Sequence, residues 1–143
     1  DLNLDQVRFP EKLQSLTFGD AFNRSLDRVM LPGNLLQLTL GDEFNQSMEQ
    51  VNLPESLREL TFGYFFRQSF EAVKFPSSLQ SLTFCPGCLP SEMERMEQLT
   101  LPSGLQSLTY GGRFNQSIES ATLPESLQSF TLGDEFDLNL DQV

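Results

Sequence analysis

Apolar residues in this chain come in short bursts of strict alternation. In "LQSLTFG" (13–19), Leu16 and Phe18 fall on one side while Ser15 and Thr17 fall on the other, the period of two expected of a β-strand. Phe22, Leu26, Val29 and Leu31 then return apolar groups towards the same interior, and Pro32 restarts the pattern. Prolines recur at Pro10, Pro32, Pro54, Pro76, Pro102 and Pro124, at intervals of 22, 22, 22, 26 and 22 residues. Leu13, Leu35, Leu57, Leu79, Leu105 and Leu127 keep the same beat three places later. So do Gly19, Gly41, Gly63, Gly111 and Gly133, with Phe22, Phe44, Phe66, Phe114 and Phe136 behind them. One unit reads "VNLPESLRELTFGYFFRQSFEA".

A proline and usually a glycine in every unit leave no stretch long enough for a typical helix. One coil buries too few side chains to offset the cost of ordering its backbone, whereas stacked coils bury each other's faces and pair strand on strand. The pattern therefore predicts a mainly β, right-handed solenoid of about six stacked 22-residue coils, one of them lengthened to 26 by an insertion. The expected rise is about 4.8 Å per coil. Coils start at Val7, Val29, Val51, Val73, Leu99 and Ala121, and residues 1–143 form a single solenoid segment. The heptapeptide "DLNLDQV" opens the chain at 1–7 and returns at 137–143, 136 residues later. That recurrence is expected of a window cut from a longer array with a 136-residue super-repeat.

The phrases "LTFGDAFNRSL" (16–26) and "LTLGDEFNQSM" (38–48) resemble FNIP repeats, 22-residue relatives of leucine-rich repeats. The resemblance covers nearly the whole chain. It implies a leucine-rich-repeat-like solenoid serving as an interaction module, and no catalytic residues. The family signature continues Phe-Asn-Ile/Gln-Pro, where this chain has Phe-Asn-Gln-Ser or Phe-Asn-Arg-Ser.

That departure creates sequons. Asn23-Arg24-Ser25, Asn45-Gln46-Ser47 and Asn115-Gln116-Ser117 each satisfy N-x-S, so N-glycans on Asn23, Asn45 and Asn115 would line one edge of the rod. A purely structural use competes with this reading, since leucine-rich relatives use an Asn to bond backbone in the turn. The irregular fourth unit holds "FCPGCLPSEMERMEQ" (84–98), in which Cys85 takes the place of the turn glycine and Cys88 follows three residues on. A zinc site needs four ligands, and the chain has two cysteines and no histidine. The spacing reads as a short disulfide loop between Cys85 and Cys88, with free thiols as the alternative. Ser91 and Glu94 have capping-box spacing, which predicts a helical turn over 91–98 with Met93 and Met96 inward.

Composition narrows the chemistry. A missing histidine removes serine–histidine, cysteine–histidine and histidine–metal sites together, so no cofactor, metal or catalytic residue is expected. Asp1 to Asp5 superficially resembles a calcium loop, but Gln6 stands where glycine belongs and Lys12 where the bidentate Glu belongs. The alternating Leu2 and Leu4 read instead as a strand with carboxylates outside. Twenty acidic against nine basic residues give a net charge of −11, which repels phosphate backbones and argues against a nucleic-acid partner. No apolar run nears the roughly 18 residues of a membrane span, so no membrane insertion is expected.

The expected function is a non-enzymatic structural repeat protein, extended into a rod or fibril by end-to-end continuation of the solenoid. Its partners would be further copies of the same repeat, in the same chain or in head-to-tail neighbours. The sequons and paired cysteines point to an extracellular or cell-surface location. The alternative is a protein–protein interaction adaptor in the cytoplasm.

Overall fold

The computed structural model describes residues 4–85, 99–111 and 122–133. Six short strands run through it: β1 (Ser15–Thr17), β2 (Gln37–Thr39), β3 (Glu59–Phe62), β4 (Ser81–Phe84), β5 (Ser107–Tyr110) and β6 (Ser129–Leu132). They form one parallel sheet in sequential order, one strand per coil. Register follows the repeat, with Leu16 opposite Leu38, Leu38 opposite Leu60, and so on to Leu108 opposite Phe130. The predicted β-solenoid is thus what the chain forms.

The repeating proline, glycine and leucine positions mark tight turns. The Leu13 amide donates to the Pro10 carbonyl at 3.0 Å, and Leu35, Leu57, Leu79, Leu105 and Leu127 each donate to the proline three residues earlier at 3.0–3.1 Å. Proline suits the first position because it has no amide to leave unpaired and its φ is already fixed. Phe22 closes a second turn on Gly19, and Phe44 closes its counterpart on Gly41. A third turn joins Val29 to Leu26, Val51 to Met48 and Val73 to Phe70. In the first two coils a strand is therefore followed by reversals of fixed spacing, so apolar residues arrive in pairs and not in helical runs.

That third turn corrects one expectation. Residues Leu4–Gln6 form a short 3-10 turn, not the strand that the alternating leucines suggest, and the Val7 amide donates to the Leu4 carbonyl at 3.0 Å. Leu4 stands in the phase of Leu26, Met48 and Phe70, so repeat phase outweighs local alternation. Residues 1–3 lie outside the described part, as does the turn expected over 91–98.

Coils are held by two kinds of column. The Gln14 carbonyl accepts both the Leu36 and Gln37 amides at 2.8 and 2.9 Å, and the Leu36 carbonyl accepts Arg58 and Glu59 likewise. The same shared acceptor recurs through Arg58, Gln80 and Gln106. Inside, the core runs the length of the stack through Leu38, Leu60, Leu82 and Leu108, with Phe44, Phe62, Phe66 and Phe84 fully buried. The rings of Phe22, Phe44 and Phe66 stack nearly parallel, with centroids 6.1 and 6.0 Å apart. No polar or charged side chain is buried among the described residues.

Candidate functional site

The corner that follows each strand carries the features singled out in the sequence. Here Gly19, Gly41 and Gly63 stack so closely that a Cβ on Gly41 would lie 2.1 Å from the Gly19 carbonyl oxygen, and one on Gly63 would lie 2.1 Å from that of Gly41. Sequence reasoning expects glycine here for a permissive turn. The structure shows a different cause, close approach of successive backbones. Cys85 occupies the same phase in the fourth coil and interrupts the run of glycines, which resumes in sequence at Gly111 and Gly133.

Asn23 and Asn45 extend from this corner to the next coil. Asn23 Oδ1 accepts the Asn45 amide and Gln46 Nε2, both at 2.9 Å. Asn45 Oδ1 accepts the Arg67 amide at 2.9 Å and Gln68 Nε2 at 3.2 Å. The serine of each sequon closes its own local turn, with Ser25 Oγ accepting the Asp27 amide and Ser47 Oγ accepting that of Glu49. Ser69 does the same for Glu71 where no sequon exists, because Arg67 replaces the Asn. Both sequon residues therefore have a use in the fold that needs no sugar. The ladder engages Oδ1, whereas a glycan would be carried on Nδ2. Asn115 lies outside the described residues.

Asn45→Ala should lower stability by about 1–3 kcal/mol, because it strips the acceptor from two donors, one of them a backbone amide. Urea midpoints read this directly, and Gln46→Ala on the same edge is the comparison, expected within about 0.5–1.5 kcal/mol of wild type. Equal midpoints for Asn45→Ala and wild type would show that the ladder contributes nothing.

Cys85 is half-buried and has no disulfide partner among the described residues; Cys88, its expected partner, lies outside them. Burial, followed by the negative charge of Asp42, pushes the Cys85 thiol above its ordinary pKa. In reduced protein at mildly alkaline pH, iodoacetamide should thus alkylate Cys85 more slowly than an unstructured cysteine peptide. A rate matching the peptide would contradict this environment.

A further serine column escaped the sequence reading. Ser56, Ser78 and Ser126, each two places after a repeat proline, donate from Oγ to the carbonyls of Leu35, Leu57 and Leu105 at 2.7 Å. The signal is present in the recurring P-x-S-L phrase at 54–57, 76–79 and 124–127.

No three His, Cys, Asp or Glu side chains converge as a metal shell among the described residues. A cleft beside the first coil, lined by Asp5, Arg8, Glu11, Met30 and Pro32 among others, holds no serine, cysteine or lysine that could act as a nucleophile.

The model for the FNIP Repeat matches residues 3–43, 44–85, 94–135 and 114–142. The chain belongs to the FNIP repeat family. No curated protein sequence matches it. Among solved structures it is similar to CroV588, described as a novel circular LRR protein, with 37% identity and a TM-score of 0.77 over 90% of this chain. This FNIP segment spans 18% of the length of that protein. Ladder, glycine column and aromatic stack are accordingly those of an FNIP solenoid related to leucine-rich repeats, a repeat scaffold in architecture.

Proposed function

We propose that this FNIP solenoid is part of a non-enzymatic structural scaffold that extends by adding equivalent coils head to tail, from the same chain or from neighbouring copies. The supporting observation is that each of the first five coils offers the next the same shared backbone acceptor, and the first two also offer the same Asn side chain. Coil one presents the Gln14 carbonyl and Asn23 Oδ1 to coil two, and coil two presents the Leu36 carbonyl and Asn45 Oδ1 to coil three. A head-to-tail interface of this kind generates an open filament, or a ring if the accumulated rotation closes. The rod or fibril is the first outcome. The second is favoured by the likeness to a protein described as circular.

The scaffold would be extracellular or at the cell surface, bearing N-glycans at Asn23, Asn45 and Asn115; a cytoplasmic adaptor is the alternative. Because the ladder gives Asn and Ser another use, sequons weigh less for that location than they do in the sequence alone. Electron micrographs of native material test the scaffold: filaments or closed rings support extension by coils, and small discrete particles refute it. Intact mass without reduction reports sugars and the Cys85–Cys88 bond in the same preparation.

A further inference from the structure

One corner of the solenoid departs from its neighbours. Where the first two coils carry Asp20-Ala21 and Asp42-Glu43, the third carries Tyr64-Phe65. Both rings are exposed, at 44% and 47%, in a chain whose other described large apolar side chains are buried or half-buried apart from Met30. They are not loosely placed. The Tyr64 amide donates to Asp42 Oδ1 at 3.2 Å and the Phe65 amide donates to the Asp42 carbonyl at 2.8 Å. Gly63, immediately before them, is locked against Gly41 in the glycine column. The rings meet edge to face, with centroids 4.9 Å apart at 75°. Such a pair offers a ready-made aromatic surface whose ordering cost is already met by the fold.

Its surroundings are acidic. Asp20, Asp42 and Glu43 stand exposed in the two coils stacked below, and Arg67 is the single basic residue in the turn 63–70. The whole chain carries −11.

We propose that Tyr64 and Phe65 form a docking site for a basic protein segment, whose Arg or Lys side chains lie against the rings while their charge faces Asp20, Asp42 and Glu43. Aromatic faces attract guanidinium and ammonium groups, and the carboxylates select for them over neutral or acidic segments. The site goes beyond the scaffold proposal and is independent of it, needing only that the first three coils fold.

The test uses the full chain and a synthetic peptide of repeating Arg-Leu-Gly, with Glu-Leu-Gly as its acidic counterpart, titrated by calorimetry. The informative variant is Tyr64→Asp/Phe65→Glu, which copies the Asp42-Glu43 corner of the coil below and keeps its fold by precedent. A second variant, Phe65→Ser, adds no charge. The basic peptide should bind wild type, weaken with salt, and lose at least tenfold in affinity for both variants, while the acidic peptide stays unbound. The double variant adds two negative charges, so attraction by charge alone would tighten binding. An unchanged or tighter affinity for that variant overturns the proposal, as does equal binding of the two peptides. Sedimentation showing that the pair instead joins two copies of this chain overturns it as well. Micrographs of the double variant should match wild type, so failure here leaves the scaffold proposal standing.

Discussion

Gly63→Ala is expected to unfold or severely destabilise the protein, by about 3–5 kcal/mol, although it adds a single methyl group. The added Cβ would fall 2.1 Å from the Gly41 carbonyl oxygen and 2.6 Å from Asp42 Cα. Those atoms are backbone, so no side chain can swing aside, and relief requires the second and third coils to separate. Separation would lengthen the bonds from Tyr64 and Phe65 to Asp42 and disturb the stacking of Phe44 on Phe66. Gly19→Ala is the internal control: nothing stands within 4 Å of its Cβ, so its effect should lie within about 1 kcal/mol of zero. Thermal denaturation of the two variants side by side checks this. Similar melting temperatures would mean that the glycine column is not a close-contact column.

Phe66→Ala should cost about 3–5 kcal/mol. The Phe66 ring is fully buried, with Phe62 at 4.5 Å, Phe70 at 5.0 Å and Phe44 at 6.0 Å between centroids. Its loss opens a void in the middle of the aromatic stack, and the neighbouring rings are themselves buried in the core, which limits how far they can shift to fill it. Phe65→Ala, one residue earlier and 47% exposed, should change stability by less than about 0.5 kcal/mol. Guanidinium titrations separate the two, and a comparable loss for both would contradict the burial pattern. Phe65 spends its apolar surface on solvent, which is the reason for assigning it a partner instead of a packing role.

Much of the fold was legible in the letters. Leu16 and Phe18 against Ser15 and Thr17 gave the strand, and the 22-residue beat gave the stacking, because every coil meets the same physical demand as the one before. What misled was local reading at one place: Leu2 and Leu4 alternate like a strand, yet Leu4 belongs to a turn by phase. The close approach behind Gly41 and Gly63 was not legible, because sequence shows that a side chain is missing but not whether torsion or crowding removed it. Asn23 and Asn45 present the opposite difficulty. Three letters serve equally as a sequon and as a ladder with a serine turn, and only coordinates show the ladder bonds. Tyr64 and Phe65 were visible as deviations from Asp-Glu, but their exposure depended on which way the corner faces.

The bonds between coils have one further consequence. The side-chain bonds that link neighbouring coils reach 21 to 23 residues along the chain, and the sheet pairs each strand with the next in order. A gene encoding such a chain can gain or lose one whole period by slippage during copying, and every surviving bond finds an equivalent partner. Half a period has no such tolerance, since it would set a strand above a turn. Length in this lineage should therefore drift in whole steps, and a step of another size, such as the four extra residues of the fourth unit, falls just past Cys85, where the glycine rhythm is already broken.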